Sequence, residues 1–212
     1  MPSPSALNPS DWRKPPASFR PAPFWVWNET QEPKELLRQI REMKSHGFGG
    51  FFMHARIGLK TPYLGAEWFE HVRLCTEEAA RLGMQAWIYD EDRWPSGFAG
   101  GKIAEVPGLD YRAQCLACSE VDGERVFTIE RGPLTPECNG AAAVDVLNPE
   151  VIAAFIRLTH DEYQRVIGDQ FGKAVPGSFT DEPSYVPWGH PNQFGMVPWT
   201  GRMEKEFKAR RG

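Results

Sequence analysis

Four short apolar runs in this chain each end in a polar residue that can do chemistry. These residues are Asn28, His54, Asp90 and Glu182. In α/β proteins the carboxyl ends of parallel strands meet at one edge of the sheet, and the loops at that edge carry binding and catalytic groups. The repeated pattern therefore predicts a functional site formed by these strand ends.

Glu182 is the leading candidate for a catalytic carboxylate. Alternation along the fourth run places Ser178, Thr180 and Glu182 on one face and Phe179 on the other, which we expect to be the helix-covered face. A carboxyl held inward and partly desolvated beside Asp181 suits a general acid. A salt bridge or a loop cap is the alternative role for Glu182, since structural ion pairs use the same residue type.

His54 admits three interpretations. It can donate to a substrate hydroxyl, bind a metal ion, or lie buried against a backbone carbonyl. Arg56, two residues further on, faces the same way in an extended chain and can orient a carboxylate. Both residues are therefore candidate substrate-binding residues.

Asp90 and Asp92 share one face of the third strand end, with Glu91 on the opposite face. Two carboxylates on one rim suit sugar hydroxyls or a Ca²⁺ or Mg²⁺ ion. The alternative is a solvated acidic loop tip. Trp94, Trp188 and Trp199 lie in segments rich in glycine and proline, where an aromatic face suits a small-molecule site.

Two other groups of residues predict no site. Cys115 and Cys118 have C-x-x-C spacing, but a second pair is missing, so we predict no metal there. The run His160-Asp161-Glu162 falls in the middle of a predicted helix and is expected to form a solvated face.

Strand and helix patterns alternate four times along the chain. Asn148-Pro149-Glu150 starts a helix that we expect to run past residue 160, and Asp122-Gly123 is a strong hairpin turn signal. Residues 1–22 form a proline-rich arm, and a hairpin is inserted after the third strand at about residues 108–147. The strands are expected near residues 24–27, 50–54, 85–89 and 175–180. An α/β fold follows, and a doubly wound sheet and half of a (β/α)8 barrel both fit this count.

Composition sets the broad class. The chain has 212 residues, 41% of them hydrophobic, and a formal net charge of -4. There is no basic stripe to indicate nucleic acid or an anionic membrane surface as a partner. The first residues lack the pattern of a signal peptide and the cysteines are unevenly placed, so a cytoplasmic protein with reduced thiols is expected, or a secreted one if a leader has been removed.

Several runs in order along the chain resemble the α-L-rhamnosidase-like glycoside hydrolases of family 106 and related barrel glycosidases. The resemblance covers about residues 20–212. It is carried by Phe24-Trp25-Val26-Trp27-Asn28, Gly49-Gly50-Phe51-Phe52-Met53-His54, Tyr63-Leu64-Gly65-Ala66-Glu67-Trp68, Trp94-Pro95-Ser96-Gly97 and Phe179-Thr180-Asp181-Glu182-Pro183. Asp181-Glu182-Pro183 also looks like the Asn-Glu-Pro that carries the acid/base in many barrel glycosidases, with aspartate in place of asparagine.

The resemblance implies that residues 23–212 form the N-terminal half of a (β/α)8 barrel, a partial TIM barrel of about four βα units. It implies action on O-glycosidic bonds of plant or microbial carbohydrate, with Glu182 catalytic. Asn28, His54, Arg56, Asp90, Asp92, Trp94 and Asp181 would then bind substrate. It implies no organic cofactor and leaves room for a bound Ca²⁺ ion.

Half a barrel also predicts how the chain behaves alone. Glycoside hydrolysis needs two carboxyl groups, and the second usually comes from a later strand, so we expect the isolated chain to be inactive. Its open edges predict a homodimer or dependence on a missing C-terminal half. Two alternatives remain: a divalent-metal sugar isomerase or hydrolase with His54, Asp90 and Glu182 as ligands, and a catalytically inactive carbohydrate-binding half barrel.

Overall fold

The computed structural model describes residues 9–187 and 196–212. In these residues the α-helices are α1 (Pro9–Arg13), α2 (Pro33–Ser45), α3 (Ala66–Leu82), α4 (Pro149–Leu158), α5 (His160–Ile167) and α6 (Met203–Arg211). The strands are β1 (Phe24–Trp27), β2 (Gly50–Ala55), β3 (Gln85–Asp92), β4 (Gln114–Val121), β5 (Glu124–Arg131), β6 (Ser178–Phe179) and β7 (Val197–Trp199). Short 3-10 helices cover Ala17–Phe19, Ala99–Glu105, Pro136–Cys138 and Gly168–Gln170. The chain is therefore a mixed α/β protein.

The chain divides into two compact units. The first holds residues up to Tyr89 together with Tyr163–Phe179, and the second holds Asp90–Glu162 together with the residues from Thr180 onward. The residues of each unit make contacts mainly with other residues of the same unit. None of the helices in the described part of the chain has the length and hydropathy of a membrane-spanning segment.

A parallel sheet of four strands organises the first unit. The strands lie in the order β1-β2-β3-β6. Phe24 of β1 pairs with Phe52 of β2, and Ile88 of β3 pairs with Ser178 of β6. The predicted sequence of four parallel neighbours is confirmed. The fourth strand is shorter than predicted, because only Ser178 and Phe179 pair with β3.

Two helices cover one face of this sheet because their sequences carry one apolar stripe each. α2 begins at Pro33, whose fixed φ suits a first helical position, and buries Leu36 and Ile40. α3 ends before Gly83, which takes a left-handed conformation (φ 63°) that favours glycine. The core under these helices contains Trp27, Phe51, Met53, Trp68, Val72, Cys75, Ala86 and Ile88.

The other face of the sheet carries a layer of aromatic rings. Phe179 packs against Phe24, with 5.0 Å between ring centroids, and is stacked on Tyr89 at 5.8 Å. The prediction that Phe179 lies under the helices is therefore wrong. Paired residues of neighbouring strands share a face, so Tyr89 and Phe179 lie together while Ser178 takes the face of Ile88. Hydrophobicity does not distinguish the two faces of this sheet, because the face opposite the helices is itself lined with aromatic rings.

The second unit contains an antiparallel sheet of three strands in the order β5-β4-β7. The predicted hairpin is confirmed: β4 and β5 pair along their length, and Asp122 and Gly123 both adopt positive φ at the turn. β7 was not predicted, and it takes Trp199 out of the expected loop and pairs it with Gln114.

The long helix predicted from Asn148 onward is two helices in the structure. Thr159 separates α4 from α5, and its hydroxyl donates to the carbonyl of Phe155 at 2.6 Å. A threonine bonded back to the preceding turn competes with the backbone ladder and bends a helix. The break makes His160 the first residue of α5 rather than a residue of the helix middle.

The proline-rich arm lies at the surface where it is described. α1 and the 3-10 helix Ala17–Phe19 contain no buried residue. Residues 1–8 of the predicted arm lie outside the described residues.

Candidate functional site

The centre of the second unit is a buried carboxylate. Asp90 has no exposed surface, and both of its oxygens accept hydrogen bonds. Ser96 Oγ donates to Oδ1 at 2.6 Å, and Thr180 Oγ1 donates to Oδ2 at 2.6 Å. A buried charge is costly unless such donors surround it, so these two hydroxyls stabilise Asp90 in place.

Ser96 also links this carboxylate to the turn that carries Glu182. The backbone N–H of Asp181 donates to Ser96 Oγ at 2.8 Å, and the N–H of Ser96 donates to the carbonyl of Asp181 at 2.7 Å. Asp181, Ser96 and Asp90 thus form one connected network. The structure brings two of the predicted site residues, Asp90 and Asp181, to the same serine.

His160 contacts the same carboxylate. Its Nε2 lies 3.3 Å from Asp90 Oδ2, and its side chain is 35% exposed. The solvated-face prediction for His160 is wrong, because the break at Thr159 places this residue at the start of α5. Phe155 packs edge-on against the imidazole, with 5.6 Å between ring centroids.

A cavity of about 350 Å³ adjoins this network within the second unit. Its wall combines the three polar residues around Asp90 with apolar and aromatic side chains. The lining residues are Ser96, Gly97, Val146, Ile152, Phe155, Ile156, His160, Thr180, Pro183 and Tyr185. A mostly apolar cavity with a few convergent polar groups is typical of a small-molecule site.

Glu182 lies on the turn beside this cavity. Its neighbours in the chain, Thr180 and Pro183, both line the cavity, while Glu182 itself is exposed. Its backbone has φ 42°, a left-handed conformation that few residues other than glycine adopt. The partial desolvation predicted for Glu182 is therefore absent, because the turn leaves the strand before residue 182 instead of extending it.

Glu91 is a buried carboxylate that was not predicted as a site residue. Its oxygens accept four backbone N–H bonds, from Asp92 at 2.8 Å, Gly97 at 3.0 Å, Ala99 at 2.8 Å and Gly100 at 2.6 Å. Burial raises the pKa of Glu91 to about 8, although each of the four donors lowers it. Glu91 therefore anchors the glycine-rich loop that carries Ser96.

Asp92 does not share partners with Asp90. Its Oδ2 accepts from Asn139 Nδ2 at 2.8 Å, and its Oδ1 is buried with no hydrogen-bond partner among the described residues. Burial raises the pKa of Asp92, while the Asn139 bond and the charge of Arg93 lower it. The alternative of a solvated acidic tip is wrong for this run, because Asp90, Glu91 and Asp92 are all buried.

Three predicted site residues belong to the first unit. His54 is buried and stacked on Tyr89, with 3.6 Å between ring centroids and an angle of 24°. Asn28 is exposed just after β1. Gly58 packs so closely against it that a Cβ added to Gly58 would lie 2.6 Å from the backbone carbonyl oxygen of Asn28. Arg56 is half-buried, and its backbone N–H donates to the backbone carbonyl of Trp27 at 3.0 Å. Their role in substrate binding stays a prediction.

The remaining aromatic candidates differ in what the structure describes. Trp94 is half-buried in the second unit, and Trp188 lies outside the described residues.

Sequence reasoning missed Glu91, Thr180 and His160 as parts of the site. A weak signal existed for Ser96, which lies in the Trp94–Gly97 run, whereas nothing in the helical spacing singled out His160.

The described part of the chain contains no preformed cluster of metal ligands. No group of three or more His, Cys, Asp or Glu side chains there is arranged to hold a metal ion. The buried thiol of Cys115 and the exposed one of Cys118 lie on different faces of β4, as alternation requires.

Comparison with known proteins adds one distant likeness. No family model matches the sequence, and no curated protein matches it. Among solved structures the chain is similar to a rhamnosidase from Novosphingobium sp. PP1Y, with 22% sequence identity and a TM-score of 0.38. The alignment covers 58% of this chain and 12% of that chain. A likeness at this TM-score is distant, and this chain spans only 12% of the length of that protein.

Proposed function

We propose that this chain forms part of a glycoside hydrolase-like site that acts on O-glycosidic bonds, with Glu182 as the general acid. The cavity of the second unit binds a sugar unit, and Ser96, Thr180 and His160 supply its polar contacts. The parallel strands of the first unit belong, in this proposal, to a (β/α)8 barrel. An α-L-rhamnoside is the first substrate to test, because of the sequence runs that resemble that group of enzymes.

One observation supports the role of Glu182 above the others. The residue keeps a positive φ of 42° on a turn pinned by two hydrogen bonds between Ser96 and Asp181. Non-glycine residues in this conformation are strained, and such strain concentrates at functional sites. Glycine adopts this conformation without the strain that a side chain causes.

The chemistry asked of Glu182 is donation of one proton. In glycoside hydrolysis a carboxylic acid protonates the departing glycosidic oxygen, and a second carboxylate either attacks the anomeric carbon or activates water. Asp90 and Asp92 are both buried, so neither presents a free carboxylate for that second role. The second carboxylate in this proposal is therefore neither Asp90 nor Asp92.

The experiment labels the acid without requiring turnover. An N-bromoacetyl glycosylamine places its nitrogen where the glycosidic oxygen would lie and its bromomethyl carbon two bonds beyond it. An adjacent carboxylate displaces bromide from that carbon to form an ester. We expect mass spectrometry to locate this ester on Glu182 of residues 1–212 and free sugar to slow its formation. Glu182→Gln should abolish labelling, while Glu204→Gln, at an exposed site on α6, should leave it unchanged.

Other outcomes separate the alternatives. Equal labelling of Glu182 by bromoacetamide, with no protection by sugar, would show an exposed carboxylate without a sugar site, and the proposed function would be abandoned. Labelling that requires added divalent metal and stops with a chelator would favour the metal-dependent sugar isomerase or hydrolase. Sugar binding without labelling of Glu182 would favour the inactive carbohydrate-binding half barrel.

A further inference from the structure

The hydroxyl groups in the wall of this cavity have already used their hydrogens. Ser96 Oγ and Thr180 Oγ1 each donate to Asp90, and a hydroxyl has one hydrogen to give. The backbone N–H of Gly97, which also lines the cavity, is bonded to Glu91 Oε2. What these groups have left to offer a ligand is lone pairs.

The histidine in the wall is also committed to Asp90. Its Nε2 faces Asp90 Oδ2 at 3.3 Å, so this nitrogen is not free to donate to a ligand. Of the remaining lining side chains, only Tyr185 carries a polar group, and it lies 60% exposed at the rim. A ligand that meets this wall must therefore bring hydrogen-bond donors.

Charge favours a cationic donor over a neutral one. Asp90 is fully buried, and among the described residues His160 is the only basic side chain within ion-pair distance of it. A positive charge placed against Ser96 and Thr180 would be attracted by this carboxylate across a weakly screened distance. Phe155 and Tyr185 add aromatic faces, which attract cations in the same way.

We infer that the cavity of the second unit binds a ring-sized ligand carrying a protonated amine. Its volume of about 350 Å³ lies in the range of roughly 300–1,000 Å³ common for small-molecule sites. Within the proposed function the ligand is an amino-sugar unit. The sugar ring of this ligand rests on the proposed function, whereas its amine rests on the acceptor wall and on Asp90.

The first arm of the test compares matched probes on the full chain by isothermal titration calorimetry. Cyclohexylamine, protonated at neutral pH, should bind at least tenfold more tightly than cyclohexanol, which has the same ring. Asp90→Asn removes the charge. The new amide N–H donates to one of the two wall hydroxyls, and that hydroxyl is then free to donate its own hydrogen into the cavity. This variant should lose the preference for the amine.

The second arm compares glucosamine with glucose, which differ only in the amine at one ring position. Tenfold tighter binding of glucosamine, lost in Asp90→Asn, supports the inference. Equal binding of the two sugars overturns it and leaves the proposed function standing. Asp90-dependent binding of cyclohexylamine with no binding of either sugar supports the amine site and rules out an amino sugar as its ligand, whereas the proposed function is tested separately by the labelling of Glu182.

A third variant keeps the test decisive if Asp90→Asn does not fold. Thr180→Val preserves the shape of the side chain and removes one hydroxyl from Asp90 Oδ2, so the carboxylate is less compensated. We expect the preference for cyclohexylamine over cyclohexanol to rise in this variant. A fall to equal binding of the two probes in a folded Thr180→Val protein would contradict the inference.

Discussion

His160 Nε2 lies 3.3 Å from Oδ2 of the fully buried Asp90, although the two residues are far apart in the chain. The contact joins the first residue of α5 to the end of β3. It makes a predicted surface histidine part of a buried polar network. The stability and chemistry of the second unit are expected to depend on that network.

Removal of the Ser96 hydroxyl should destabilise the protein by more than an ordinary serine substitution. Ser96→Ala leaves both Asp90 Oδ1 and the N–H of Asp181 without their partner, and an unsatisfied buried polar group costs about 1–3 kcal/mol. Urea unfolding would measure this loss. Ser45→Ala is the matched control, since its hydroxyl bonds a carbonyl at the exposed end of α2; equal effects of the two variants would show that the network adds no stability.

Glu91 should make stability depend on pH. The unfolded chain releases this proton near the ordinary glutamate pKa of 4.5, whereas the folded protein holds it until about pH 8. The folded state binds more protons in this window, so the free energy of unfolding should fall as pH rises from about 4.5 to about 8. The slope from this one group is at most about 1.4 kcal/mol per pH unit, and it levels off above about pH 8.

Glu91→Gln tests that assignment. Glutamine keeps the shape but offers one acceptor oxygen to four backbone N–H groups, so stability should fall while the slope between about pH 5 and about pH 8 flattens. Glu204→Gln, exposed on α6, should keep the parent slope. Parallel curves for the parent and Glu91→Gln would assign the pH dependence to other groups.

Position 182 should accept glycine with a higher stability than it accepts alanine. At φ 42° a side chain strains the backbone, and glycine relieves that strain, so Glu182→Gly should be more stable than Glu182→Ala by about 1 kcal/mol. Thermal and urea unfolding of the two variants give the comparison. Both should lose labelling by the bromoacetyl glycosylamine. A Glu182→Gly protein that is less stable than Glu182→Ala would indicate that the backbone of residue 182 is relaxed.

The first unit should associate through its edge strand β1. Val26 is 42% exposed on that strand, with Phe24 48% exposed two residues before it, and an unpaired apolar edge promotes pairing between chains. Residues 1–212 should elute larger than a monomer in size-exclusion chromatography, and Val26→Lys should shift elution toward the monomer. Val126→Lys, at a 39% exposed site on β5, should not; a monomeric parent chain would rule out association.

Much of the local architecture followed from the sequence. Apolar runs that end in polar residues predicted the four parallel strands, and Asp122-Gly123 predicted the hairpin between β4 and β5. Asp90 was selected as a strand-end carboxylate, and it lies at the centre of the network in the second unit. These features depend on backbone preferences and burial periodicity, which act between residues close in the chain.

Only the tertiary structure decided which side chains meet. Helical spacing did not place His160 beside Asp90, because that contact depends on the break at Thr159 and on how α5 packs. Alternation placed Ser178 and Phe179 on opposite faces, but the pairing with β3 decided which face each takes. Glu91 anchors its loop because the backbone N–H groups of Gly97 and Gly100 donate to its carboxylate. Contacts between distant residues depend on packing geometry, which the identity of either partner alone does not contain.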